Sequence, residues 1–307
     1  MDNNGQDLPA RGPVSRRRLL RPAAMSVCFA LLGACLLLAS AGLLSEGGVS
    51  VQSAALPGGS GKLYLPAAGE SAVLSLHADG EGGHVHEDIA VGGGPFSAAL
   101  LLRSRLDGGE AAAVELCRRG VAVLLADEDV PAADAWNWLT EQSFVRVSSV
   151  ALLAGTGRSG EALELADALV GSGRECAAVI LLGDEQLLRG AAGSPCRDLL
   201  ILTAREPDAG AKGAFFGEDF DPSRVFTGYF SEGTARACEA VGGAPAFSDR
   251  DVLARIIDWQ GSSLGHAVEI PDDDLVYDEI LFCRIGAWAC FALAALVWLR
   301  RRYVISG

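Results

Sequence analysis

VSSVALLAGTGRSGEALELADALV, residues 147–170, decides how the rest of the chain is read. An apolar run rich in β-formers (147–154) meets a glycine-rich turn (155–160), after which Leu and Ala recur at helical spacing. Strand, sharp glycine turn and helix is the geometry with which α/β proteins present a nucleophile or cradle a phosphate. The turn itself reads G-T-G-R-S-G, and both uses compete for it.

Working outward, strand and helix patterns alternate around this stretch. Strands are predicted at 97–102, 121–126, 177–182, 199–204 and 225–230, with helices at 109–118, 132–141 and 249–260. Runs such as VAVLLA and DLLILTA are continuously apolar rather than alternating, which indicates a parallel sheet covered on both faces. Before them, residues 72–78 and 84–91 read as a hairpin around Asp79-Gly80-Glu81-Gly82-Gly83. Residues 46–61 are rich in Gly, Ser and Ala and read as a tether. The expected core is one α/β domain.

Two apolar segments, 23–44 and 280–299, are each about the 20 residues a bilayer crossing needs. Arg11, Arg16, Arg17, Arg18 and Arg21 precede the first; Arg300, Arg301 and Arg302 follow the second. Basic flanks stay in the cytoplasm, so 1–22 and 300–307 are expected inside and 45–279 outside the cell membrane. Ala39-Ser40-Ala41 resembles a signal-peptide processing site, but the apolar run exceeds a signal core and favours an uncleaved anchor. Between the spans lie 37 acidic and 16 basic residues, a net charge of −21. Such a surface repels nucleic acid and anionic headgroups.

Four of the eight cysteines, Cys28, Cys35, Cys283 and Cys290, fall in the spans. Cys117, Cys176, Cys196 and Cys238 lie between them, where disulfides are permitted. Cys176 and Cys196 each precede an apolar strand, so a bridge at one end of a parallel sheet is a candidate. No C-x-x-C occurs.

The order of these patterns resembles the α/β-hydrolase superfamily, particularly dienelactone-hydrolase-like and membrane-anchored bacterial members, over residues 72–259. FSAALLLRSRLDGG is similar to the strand leading into the oxyanion motif, and ELCRRGVAVLLAD to the helix and strand after it. VSSVALLAGTGRSGEALELA resembles the nucleophile elbow, and DLLILTAREPD the strand and turn of the triad acid. FSEGTAR and DVLARIIDW resemble the closing segment around the catalytic histidine. The resemblance implies a mostly parallel sheet with helices on both faces, here flanked by two transmembrane helices, and a serine ester hydrolase as the ancestral activity.

Its catalytic pieces are degenerate. The elbow pattern G-x-S-x-G-G, laid on Gly155 to Gly160, puts Gly157 at the nucleophile, and glycine has nothing to acylate. Ser159 comes two residues late and reads as a helix cap. Arg103 and Ser104 stand where His-Gly is expected, and Asp208 matches the acid position. The base position falls in GAPAF, 243–247, which has no histidine; His266 aligns with nothing. A serine without a base is a weak nucleophile.

Three other readings compete. G-T-G-R-S-G also fits the dinucleotide fingerprint, with Asp184 as ribose ligand, but it stands mid-sheet and 24 residues before that acid rather than about 20. His77, His84 and His86 could bind a metal from one hairpin face, or be an exposed polar hairpin. Trp136/Trp138 and Phe215/Phe216 read as core or loop anchors, while 215–220 could be a flap over the sheet edge. The expectation is therefore a membrane-anchored pseudo-hydrolase needing no cofactor, with a pocket rim of Arg103, Ser104, Gly155, Thr156, Gly157, Arg158, Ser159, Gly160 and Asp208. It would bind a small molecule or another membrane protein. An active hydrolase using an unconventional serine, and a structural membrane-assembly component, are the alternatives.

Overall fold

The computed structural model describes residues 16–66, 95–104, 108–217, 220–224, 227–231, 234–264 and 274–306. The hairpin expected at 72–91, with His77, His84 and His86, lies outside the described residues, as does His266. The chain divides into two compact units, residues 44–277 and the terminal segments 1–43 with 278–307.

In the terminal unit, α1 (Arg16–Glu46) and α8 (Tyr277–Ser306) are long apolar helices. Stretches of 22 residues (Ala24–Ser45) and 24 residues (Tyr277–Arg300) are long and apolar enough to cross a membrane. Small residues bring the two helices together. A side chain at Gly33 would meet the Phe291 ring and the Ala287 carbonyl at 3.0–3.1 Å, and Ser26 Oγ donates to the Ala294 carbonyl at 2.9 Å. Large apolar side chains such as Leu38, Phe282 and Trp288 are exposed.

The larger unit opens on a hairpin, β1 (Val49–Leu56) and β2 (Gly59–Pro66). The tether expected at 46–61 is thus mostly strand. Its turn is Pro57-Gly58, and Gly58 adopts φ +83, the left-handed region a Pro-Gly turn needs at its second central residue. Few side chains of β1 are buried, so hydrophobic periodicity gave no signal there.

Then follow β3 (Phe96–Leu102), α2 (Gly109–Arg118), β4 (Ala122–Ala126), α3 (Ala132–Thr140), β5 (Val145–Ala154) and α4 (Ser159–Gly171). The order continues with β6 (Ala178–Gly183), α5 (Glu185–Gly190), β7 (Asp198–Thr203), α6 (Ala209–Phe216), β8 (Gly228–Ser231), β9 (Thr234–Ala240) and α7 (Arg250–Leu264). Together they make a nine-stranded sheet in the order β1-β2-β4-β3-β5-β6-β7-β9-β8. Strands β4, β3, β5, β6, β7 and β9 are parallel; β1, β2 and β8 are antiparallel additions at the edges. Helices α2 and α7 contact each other and the sheet, while α3, α4, α5 and α6 bury side chains in a core cluster with the strands. Every residue of β4 and β6 is buried, which is why these strands are uniformly apolar.

Phe215 and Phe216 belong to α6 and are buried in that core, their rings edge to face at 4.9 Å. The flap reading is thereby corrected for these two residues. Trp136 is buried too, as a core anchor should be.

A buried charge cluster secures the end of this unit. Glu115 on α2 is fully buried, and its Oε2 accepts from Arg118 Nη1 and Arg119 Nη1, both at 2.9 Å. Its Oε1 accepts the backbone N–H groups of Val276 (2.8 Å) and Tyr277 (2.9 Å). Both arginines also reach the Asp274 carbonyl. Burial lowers the pKa of Arg119, and the Glu115 carboxylate opposes that shift.

Candidate functional site

In parallel α/β sheets ligands gather at the carboxyl ends of the strands. Here that edge is formed by the residues after β3, β4, β5, β6 and β7. Strand β5 ends at Ala154, and Gly155 N continues the ladder by donating to the Leu102 carbonyl at 3.2 Å. The turn closes with Arg158 N donating to the Gly155 carbonyl at 2.8 Å, and α4 begins at Ser159. Gly157, at the expected nucleophile position, is not among the glycines with positive φ, so the turn carries no left-handed strain at that residue. A Cβ added there would lie 3.2 Å from Ser104 Cβ, close enough that Ser104 would have to shift slightly.

Ser159 is 2 % exposed. Its hydroxyl lies 2.6 Å from the Leu182 carbonyl on β6, with the Gly155 and Ala154 carbonyls at 2.9 and 3.2 Å. The expected cap through backbone N–H groups is corrected: Ser159 is the first helical residue, and its hydroxyl donates into the sheet. It fastens the start of α4 to β6.

Arg158 is also committed inward. Its Nη2 donates to the Val130 carbonyl at 2.7 Å and its Nη1 to the Asp127 carbonyl at 3.1 Å. Nε and Nη2 grip Glu161 at 2.8 and 2.9 Å, and Glu161 Oε1 in turn accepts Ala132 N at 2.7 Å. One guanidinium therefore ties the loop after β4 to the first turn of α4. Arg103 points to the same place: its Nη2 lies 3.4 Å from Asp127 Oδ1, while Asp127 Oδ2 accepts from Ser60 Oγ at 2.6 Å. Asp127, Ser60 and Glu161 were not singled out by sequence. The only local signal was the Arg158/Glu161 spacing, which puts both on one helix face.

Asp208, expected at the acid position, caps α6. Asp208 Oδ1 accepts Ala211 N at 2.6 Å, and both carboxylate oxygens lie 3.0 Å from Arg189 Nη2. The Ala211 N–H, and then the Arg189 charge, hold this carboxyl below its ordinary range. The loop between β9 and α7 buries Phe247 and contains no imidazole. Asp184, the dinucleotide candidate, caps α5 by accepting from Gln186 N and Leu187 N, both at 3.0 Å. A Cβ at Gly160 would meet nothing within 4 Å, so the third glycine is not required for helix–sheet packing as that fingerprint demands. Among the described residues no cluster of three metal-binding side chains occurs.

The edge thus brings Arg103, Ser104, Gly157, Arg158 and Asp127 together, and leaves Asp208 in a separate pairing with Arg189. No protein-family model and no curated protein matches the chain. Similar solved structures include an esterase from Pyrobaculum calidifontis (13% identity, 83% of this chain and 100% of that one, TM-score 0.45). An esterase/lipase from an uncultured bacterium matches at 12% identity over 83% and 86% of the two chains, with a TM-score of 0.38. A glucuronoyl esterase from Teredinibacter turnerae matches at 10% over 69% and 73%, again at 0.38. The match to a hypothetical protein from Pseudomonas aeruginosa spans about half, 48%, of that chain at a TM-score of 0.30. Overlap at this level carries no statement about activity. By its own strand order, its antiparallel opening and its two helical layers, the unit 44–277 has the α/β-hydrolase fold.

Proposed function

We propose that this protein is a catalytically degenerate α/β-hydrolase, anchored in a membrane by α1 and α8 with its large unit on the non-cytoplasmic face, and that it serves as a binding module. The observation that carries the reading is the state of the elbow: glycine at the nucleophile position, and Ser159 buried with its hydroxyl on the Leu182 carbonyl. The absence of histidine from 241–249 and the capping role of Asp208 support it independently. At the rim, Arg103 and Arg158 bond to neighbouring protein groups. The partner is a small molecule or another protein. The anchoring rests on two apolar helices and on the basic residues outside each span.

Gly157→Ser tests the reading at its weakest joint. A serine there has no imidazole at the family's base position to take its proton. The full-length variant in detergent is expected to hydrolyse a panel of p-nitrophenyl esters no faster than wild type. Ester turnover appearing in this single variant would mean that a base is present after all.

A further inference from the structure

Strands β6 and β7 run parallel with Val179 opposite Leu199. Cys176 and Cys196 each lie two residues before the start of their strand, at Ala178 and Asp198. Neighbouring strands lie about 4.8 Å apart, within the roughly 4.4–6.8 Å Cα separation a disulfide spans. Both cysteines line one small cavity with Val170 and Val179. Both are free thiols here; Cys196 is buried and Cys176 partly exposed. The site is at the amino ends of the strands, away from the edge described above.

We propose that Cys176 and Cys196 are a redox pair that closes to a disulfide, stapling the starts of β6 and β7. The oxidant is a small-molecule disulfide such as oxidised glutathione. The Cys176 thiolate attacks one of its sulfurs, forming a mixed disulfide and releasing one glutathione thiolate. The Cys196 thiolate then attacks the Cys176 sulfur, forming the intramolecular bond and releasing the second. The two protons given up by the cysteines end on the two glutathione thiols, so the protein loses two hydrogens. Cys196 Sγ also lies 3.5 Å from Asp167 Oδ1 on α4, which accepts Ser194 Oγ at 2.6 Å. Oxidation removes the thiol donor from Asp167 and leaves the serine one.

Burial pushes the Cys196 thiol up to about 11 and raises Cys176 as well, so both are protonated at neutral pH. The closure is accordingly slow, and faster at higher pH.

The test is full-length protein in detergent, incubated with oxidised glutathione under native conditions and mapped by mass spectrometry without reduction. The expected product is a peptide pair joined through Cys176 and Cys196. In a Cys176→Ser variant Cys196 should stay free of any protein disulfide. The oxidised wild type should melt about 5–10 °C above the reduced form. Glutathione retained on Cys176 with Cys196 free, a bond to Cys117 or Cys238, or a 176–196 bond formed only after unfolding would overturn the proposal. An unchanged melting temperature in the bonded protein would overturn its role as a staple.

Discussion

Replacing Glu115 by alanine is expected to destabilise the large unit by about 3–5 kcal/mol, the usual cost of breaking a buried ion pair from one side. The side chain is fully buried and serves four donors: two guanidinium groups and the N–H groups of Val276 and Tyr277. Its removal takes from Arg118 and Arg119, with side chains only 10% and 3% exposed, the carboxylate they share, and leaves Arg118 the longer 3.6 Å pairing with Asp274. Domains are stable by roughly 5–15 kcal/mol, so much of the margin would go. Glu115→Gln keeps the shape and one acceptor oxygen but loses the charge, and should fall between. Denaturation of the full-length variants checks both. A Glu115→Ala midpoint equal to wild type would mean that the cluster fastens nothing.

Arg158→Ala should be the next most damaging change, at about 2–3 kcal/mol. It strands the Val130 and Asp127 carbonyls and frees Glu161 from its partner, loosening the loop before α3 as well as the turn before α4. Arg158→Lys should rescue little, because a single ammonium on a flexible stem cannot reproduce the planar fork. The denaturation midpoint and protease susceptibility at 127–131 read the effect. If Arg158 were a free rim residue, alanine there would leave stability within a few tenths of a kcal/mol.

These arginine contacts mark the limit of what was legible beforehand. The strand–turn–helix at 147–170 announced itself because its apolar pattern changes period at the glycines. That a glycine stands at the expected nucleophile position was legible because it is a matter of residue identity. The engagement of Arg158 was not, since Asp127 and Val130 are brought to it only by the β4–β3–β5 strand order. The short helices α5 and α6 escaped notice because six and eight residues give too little periodicity. Asp184 and Asp208 are their start signals, each accepting a backbone N–H of the first helical turn. Strand β9, TARACEA, has few β-branched or aromatic residues, and takes its place from its neighbours β7 and β8. The β1–β2 hairpin was hidden by composition, although Pro57-Gly58 is a turn signal in its own right.

Ser159 distinguishes a working hydrolase from a relic most directly. The decisive measurement is exposure of the folded, full-length protein in detergent to a fluorophosphonate probe, with labelled peptides mapped by mass spectrometry. Covalent label on no serine, in protein shown to be folded by a cooperative melt, is the expected result. Label on Ser159 or another serine, lost when the protein is heated first, would make this chain an enzyme and contradict the degenerate reading.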